Sequence, residues 1–265
     1  MVLLTGASSG IGEATRHLAH LGYALVLTAR RSDLLSTLAH DLGPQGTHTL
    51  TVSADMSVQA DRERLVQAAL ERFGHIGALI NNAGVTIARG HWRDDPDPLR
   101  VLDLNLTAPT KLTGLVLPAM RARGSGVVVN IGSVAGRVST HGTYSAGKYR
   151  LRGFSLALGR ELLGSGVAVS LVSPGFIRTA FTSGASLPMP GPGVVAAGVH
   201  GSWPARWLAC TVAVATVLRF PRRDVFTPAW YGALRLIDSL LPALPDRVVR
   251  RIMGVRYGRR DHGGA

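Results

Sequence analysis

A strict alternation constrains this chain most. Short, apolar, β-branched runs take turns with stretches of helical periodicity. "VLLT" (2–5) precedes a helical pattern near 10–21, and "ALVLTA" (24–29) precedes one near 32–42. "HTLTVSA" (48–54) leads into 57–73, and "GALINNA" (77–83) into a long helix near 97–122. "GVVVNIGS" (126–133) leads into 142–164, and "GVAVSLVSP" (166–174) follows. Runs this short and this uniformly apolar suit strands buried on both faces. Strand–helix alternation implies crossover connections, and so a parallel sheet covered by helices on both sides.

The regularity stops after residue 175. Residues 176–204 are rich in Gly, Pro, Ser and Thr, as long functional loops often are, and are expected to form a lid. A helix near 204–219, a strand "DVFT" at 224–227 and a helical tail at 230–254, interrupted by Pro242 and Pro245, complete the pattern. The expected fold is α/β: a doubly wound parallel sheet of about seven strands, counted from these runs. Residues 1–228 are expected to form one domain, with residues 229–265 a helical basic extension packed on it or at an interface.

Composition narrows the partners. Net charge is +13, with 15 basic against 11 acidic residues in 1–150 and 14 against 5 in 151–265. Such an excess suits nucleic acid or an anionic membrane. Yet 27 of the 29 basic residues are arginine in a Gly- and Ala-rich chain, which looks compositional, and no nucleic-acid motif accompanies them. No nucleic-acid partner is expected. The longest apolar run, residues 207–218, falls short of the roughly 20 residues a spanning helix needs, and the start lacks a signal-peptide pattern. A cytoplasmic protein is expected, with peripheral membrane contact through the basic tail as an alternative. The expected assembly is a homodimer or homotetramer. One cysteine, Cys210, excludes an intramolecular disulfide. The nine histidines are scattered, and His17 and His20 share a helix without a third ligand nearby, so no metal site is expected.

Chemistry enters at the strand ends. "TGASSGIG" (5–12) lies between the first strand and first helix, with Gly6, Gly10 and Gly12 spaced for a tight turn that admits a diphosphate. Free amides and the positive end of a helix there favour anions. The second strand ends in Arg30 and Arg31, where an NAD site would carry an acid for the ribose 2′-hydroxyl. Asp33 comes later, as an early helix residue. Arginines pair with a 2′-phosphate, so NADP(H) is expected. "GTYSAGK" (142–148) holds Tyr144 and Lys148 one helical turn apart. A nearby ammonium favours the phenolate and is expected to lower the tyrosine's pKa. "NNAG" (81–84), Asn105, Ser133 and "SPGFIRT" (173–179) also fall at strand ends or on the long helix. Each alone has an ordinary role as turn former or cap.

All of these in this order resemble a short-chain dehydrogenase/reductase, strongly over residues 1–180 and weakly over 204–228. The resemblance implies a Rossmann-type fold and catalytic roles for four residues. Tyr144 would be the general acid or base, Lys148 would lower its pKa and bond the nicotinamide ribose, Ser133 would polarise the carbonyl, and Asn105 would hold a relay water. Gly6, Ser8, Ser9, Gly10, Ile11 and Gly12 would cradle the cofactor phosphates. Arg30 and Arg31 would take the 2′-phosphate. Asp55 and Met56 would flank the adenine, and Asn82, Ala83 and Gly84 would line the cofactor. Pro174, Gly175, Ile177 and Thr179 would hold the nicotinamide.

The function expected is hydride transfer between NADP(H) and a carbonyl or secondary alcohol of an apolar small molecule. A non-catalytic NADP-binding regulator on the same fold is the alternative. The chain departs from the family in one interval: Ser133 and Tyr144 are eleven residues apart, about two fewer than usual. The loop between them must be tight. Ser139 and Thr140 are weaker substitutes for Ser133 because neither ends a strand, and His141 either faces substrate or is solvated. Gly147 inside a helix suggests close packing against the cofactor or a strand. Phe176, Phe181, Leu187, Met189, Val194, Val195 and Trp203 either contact substrate or pack within the lid.

Overall fold

A computed structural model describes residues 1–8, 15–42, 48–86, 97, 99–138, 142–175, 203–229 and 232. The expected lid, except its last two residues, and the expected helical tail, except residue 232, lie outside the described residues.

Seven strands form one parallel sheet: β1 (Val2–Thr5), β2 (Leu25–Ala29), β3 (Thr49–Ser53), β4 (Ala78–Asn81), β5 (Gly126–Ile131), β6 (Val167–Pro174) and β7 (Asp224–Thr227). Their order is β3-β2-β1-β4-β5-β6-β7. The chain therefore winds outward from β1 in one direction and from β4 in the other. Where the winding reverses, the carboxyl ends of β1 and β4 diverge and leave a crevice for a ligand.

The helices are α1 (Thr15–His20), α2 (Ser32–Asp41), α3 (Gln59–Phe73), α4 (Arg100–Leu102), α5 (Ala108–Arg123), α6 (Gly142–Glu161) and α7 (Trp203–Arg219). Alternate residues of each strand feed two cores. Leu4, Leu27, Ile80 and Val129 pack with Leu18, Leu35, Cys210 and Val214 on one face. Leu3, Val26, Leu79 and Val128 pack with Leu65, Leu112 and Leu158 on the other. Each fully buried leucine stabilises the fold by about 1.5–3 kcal/mol, and this two-sided burial is why the strand runs lack alternation.

The long helix expected at 97–122 is interrupted. Asp103–Thr107 form a π-helical turn between α4 and α5. Such turns shift the hydrogen-bond register by one residue and frequently mark functional sites. Asn105 sits in this one.

Candidate active site

The first strand end and the fourth are laced together. The Thr5 hydroxyl accepts from the amides of Asn82 (3.1 Å) and Ala83 (3.0 Å). The Asn82 side chain donates to the carbonyls of Thr5 and Gly6, both at 3.0 Å. Gly6 has φ +70°, and a Cβ there would meet the Ala83 Cα at 2.9 Å. Only glycine meets both demands. Of the expected phosphate-loop residues, Gly6 and Ser8 are described; Ser9, Gly10, Ile11 and Gly12 lie outside the described residues.

Arg30 and Arg31 follow β2 at the same rim. Arg31 donates to the Ser8 hydroxyl at 3.1 Å, crossing from the second strand end to the first. Arg30 lies 4.0 Å from the Asp55 carboxylate, with both side chains substantially exposed. Burial alone would raise the Asp55 pKa. The amide and hydroxyl of Ser57, with Arg30 and Arg100, outweigh it and leave Asp55 below the usual carboxylate range. Met56 is buried and its carbonyl accepts from the buried Arg62 at 2.5 Å. Asp33 lies in the first turn of α2, as expected. No carboxylate belongs to the end of β2 itself, and the donors gathered there suit an anion.

On the other side of the crevice, Gly132 and Ser133 directly follow β5. The Ser133 hydroxyl accepts from the Ala135 amide at 3.1 Å. That bond occupies a lone pair and leaves the hydroxyl proton to point elsewhere. Ser133 also hydrogen-bonds the Tyr144 phenol. Tyr144 and Lys148 are both buried on α6, at 9% and 6% exposure. Lys148 Nζ donates to the Ile131 carbonyl at 2.8 Å and lies 5.9 Å from the centre of the Tyr144 ring. Among the described residues this is the only acceptor for Nζ, so two of its three donor positions remain for a ligand.

The expected depression of the tyrosine pKa is not what these side chains produce by themselves. Burial pushes Tyr144 above its ordinary value, and the Ser133 hydrogen bond opposes that. Burial also pulls Lys148 down to about 8. The ammonium is tied to the strand rather than to the phenolic oxygen, so desolvation outweighs attraction.

The Asn105 side chain is tied to the segment after β4. Its side-chain oxygen accepts from the Val85 amide at 2.9 Å, and its side-chain nitrogen donates to the Val85 carbonyl at 2.7 Å. The amide thus pins the segment after β4 and, among the described residues, keeps one lone pair and one N–H to spare, while its backbone stands in the π-helical turn. Gly147 packs closely, but on the Asn105 segment rather than on a strand. A Cβ there would lie 3.4 Å from the Asn105 Cβ and 3.5 Å from the Leu102 Cδ2. Pro174 ends β6, and the Gly175 amide donates to the Thr227 carbonyl at 2.9 Å. Ile177, Thr179, Ser139, Thr140, His141 and the lid's apolar residues Phe176, Phe181, Leu187, Met189, Val194 and Val195 lie outside the described residues, as does the Trp203 side chain.

Residues 1–188 match the family described as short chain dehydrogenase. The chain belongs to that family. It is an oxidoreductase, and enzymes of this short-chain dehydrogenase type act on small molecules with a nicotinamide cofactor. The oxidoreductase YxnA of Bacillus subtilis is 30% identical over 96% of this chain and 72% of its own length. The 3-oxoacyl-(acyl-carrier-protein) reductase of Synechocystis is 36% identical, covering 69% of this chain and 76% of that one. Among solved structures, a Burkholderia phymatum short-chain dehydrogenase/reductase in complex with NAD superposes with TM-score 0.77 and 26% identity, over 92% of this chain and 94% of that one. A variant of actinorhodin polyketide ketoreductase with NADPH superposes with TM-score 0.72 and 30% identity, over 87% and 97%.

Several site residues escaped the sequence reading. Thr5, Ile131 and Val85 act through backbone or hydroxyl contacts that no motif announces. Asn81 and Asn130 had a readable signal, a lone amide inside an apolar strand run. The Asn81 side chain donates to Thr113 at 3.1 Å and to the Asn130 side-chain oxygen at 2.8 Å, and Asn130 donates to Ser155 at 2.9 Å. This buried polar chain joins α5 to α6 through the sheet, under the tyrosine helix.

Proposed function

We propose that the chain is an NADP(H)-dependent oxidoreductase that interconverts a carbonyl and a secondary alcohol on an apolar small molecule, with Tyr144 as general acid and base. The observation that carries this reading is the Ser133–Tyr144 hydrogen bond at the end of β5, with the Lys148 ammonium anchored beside it. One unit, residues 1–228, would hold both cofactor and catalytic groups.

A bound nicotinamide supplies or takes the hydride and, when oxidised, adds positive charge beside the phenol. The protein's part is to place the substrate oxygen and handle one proton. Ser133 and Tyr144 present two hydroxyl donors to that oxygen, where negative charge develops. Tyr144 then gives its proton to the forming alkoxide, and takes one back in the oxidative direction. Lys148 stabilises the phenolate left behind and has donors to spare for the ribose. Asn105 fixes the segment after β4, and its backbone completes a proton path. Arg30, Arg31 and Ser8 provide the charge-assisted donors that a 2′-phosphate requires. The relatives named as ketoreductases support a carbonyl substrate.

The test is NADPH consumption measured against a panel of ketones, aldehydes and 3-oxoacyl thioesters, with NADH in parallel. Turnover of at least one apolar carbonyl, preferring NADPH, is expected. NADPH binding without turnover of any carbonyl or alcohol would favour the regulatory alternative.

A further inference from the structure

The short interval between Ser133 and Tyr144 raises a mechanical question. The serine stands on a turn outside the helix that carries the tyrosine, so something must fix the distance between them. That turn, Val134–Gly136, follows Ser133 directly.

Three contacts hold its far end, at Gly136 and Arg137. The first is shape. A Cβ on Gly136 would lie 2.8 Å from the Lys148 carbonyl oxygen and 3.0 Å from its carbonyl carbon. The turn therefore lies flush on the backbone of α6, at the turn that holds Lys148. The second is a hydrogen bond from the Tyr149 phenol, the residue after Lys148, to the Arg137 carbonyl. The third is the Arg137 guanidinium, itself buried, which pairs with Asp224 and lies 5.2 Å over the ring of Phe226. Asp224 and Phe226 are two apart on β7 and so project from the same face of the sheet. Val225, between them, packs with the other core, against α7.

We propose that Arg137 and Tyr149 are positioning residues that clamp the Ser133 turn onto α6 and β7, setting the Ser133–Tyr144 distance in place of the missing loop length. This rests on the catalytic roles proposed above for Ser133 and Tyr144. The clamp uses α6 for the backbone of Gly136 and Arg137 and the edge strand for the Arg137 side chain. Ser133 is thus tied through residue 137 to both α6 and β7. Displacements near 1 Å in such an arrangement cost up to about 100-fold in rate.

Tyr149→Phe removes one hydroxyl and leaves the ring. Its kcat is expected to fall about 3- to 10-fold, the effect of one lost hydrogen bond. Arg137→Ala is expected to lose about 10- to 100-fold. In both, the NADPH dissociation constant should stay within about twofold, because neither side chain belongs to the cofactor donors. A second readout needs no substrate. The alkaline titration of Tyr144 is followed by absorbance, as the difference between each protein and its Tyr144→Phe counterpart. Loosening Ser133 removes the donor to the phenolate, so the titration should move to higher pH in both variants. Unchanged titration with unchanged kcat overturns the clamp, as does a lowered melting temperature with both quantities unchanged in the folded protein. If the wild type turns over no carbonyl while the titration still shifts, the clamp stands and the reductase reading falls.

Discussion

The two sides of the crevice are built in opposite ways. On the side proposed for catalysis, Tyr144 and Lys148 are nearly sealed and are tied to Ser133 and to the Ile131 carbonyl. On the side proposed for the adenosine, the Arg30 side chain is 54% exposed and lies 4.0 Å from the Asp55 carboxylate. Burial magnifies each interaction and moves each pKa, which proton transfer requires. Solvation screens the charges and leaves the side chains adaptable, which suits capture of an anion. The difference is one of dielectric environment more than of residue type.

The largest test of this contrast is Tyr144→Phe. Turnover is expected to fall by about 100- to 10,000-fold, the range for a lost general acid, while fluorescence titration shows NADPH binding unchanged. Next comes the cost of burying Lys148. The unfolded chain holds that proton up to the ordinary 10.5, and the folded chain releases it near 8. Between those values the unfolded state binds more protons, so this residue makes stability rise with pH there. Below pH 8 the buried ammonium is fully costly. Lys148→Met is therefore expected to raise stability below pH 8 by roughly 2 kcal/mol, after discounting the lost Ile131 hydrogen bond, and the gain should fade towards pH 10.5. Urea unfolding at a series of pH values measures it. Tyr144, pushed upward, acts in the opposite sense only above its ordinary 10.0.

The adenosine side should respond less. Arg31→Ala and Arg30→Ala are each expected to weaken NADPH by about 10-fold more than NADH, measured by equilibrium titration. Equal losses for the two cofactors would remove the 2′-phosphate role. Smallest is the response of Asp55. Its depressed pKa owes more to Ser57 than to Arg30, so Ser57→Ala should raise the NMR-monitored titration further than Arg30→Ala does. Its contribution to stability is present above the ordinary carboxylate value and lost as pH falls through the folded one.

The sheet was legible because strands buried on both faces leave continuous apolar runs, as in "VLLT" and "GVVVNI". The order of "TGASSGIG", "NNAG", Ser133 and "YSAGK" was likewise enough to assign the family. Less legible was what Asn105 touches, since a π-helical turn leaves no mark in a window of about 11–18 residues. The Arg137 clamp was also invisible. Arg137 and Asp224 are 87 residues apart, and nothing local ties an arginine after a tight turn to an acid opening an edge strand.

Local pattern and motif order by themselves determined the alternation of elements, the family and which side chains are candidates for the chemistry. Those properties depend on periodicity and on residues near in sequence. The tertiary structure alone decided that Lys148 spends its hydrogen bond on Ile131, that Tyr144 is pushed upward rather than down, and that Asn105 grips Val85. Each of these turns on which groups lose water and which backbone carbonyl lies within 3 Å, and both are set by the packing of strands and helices distant in the chain.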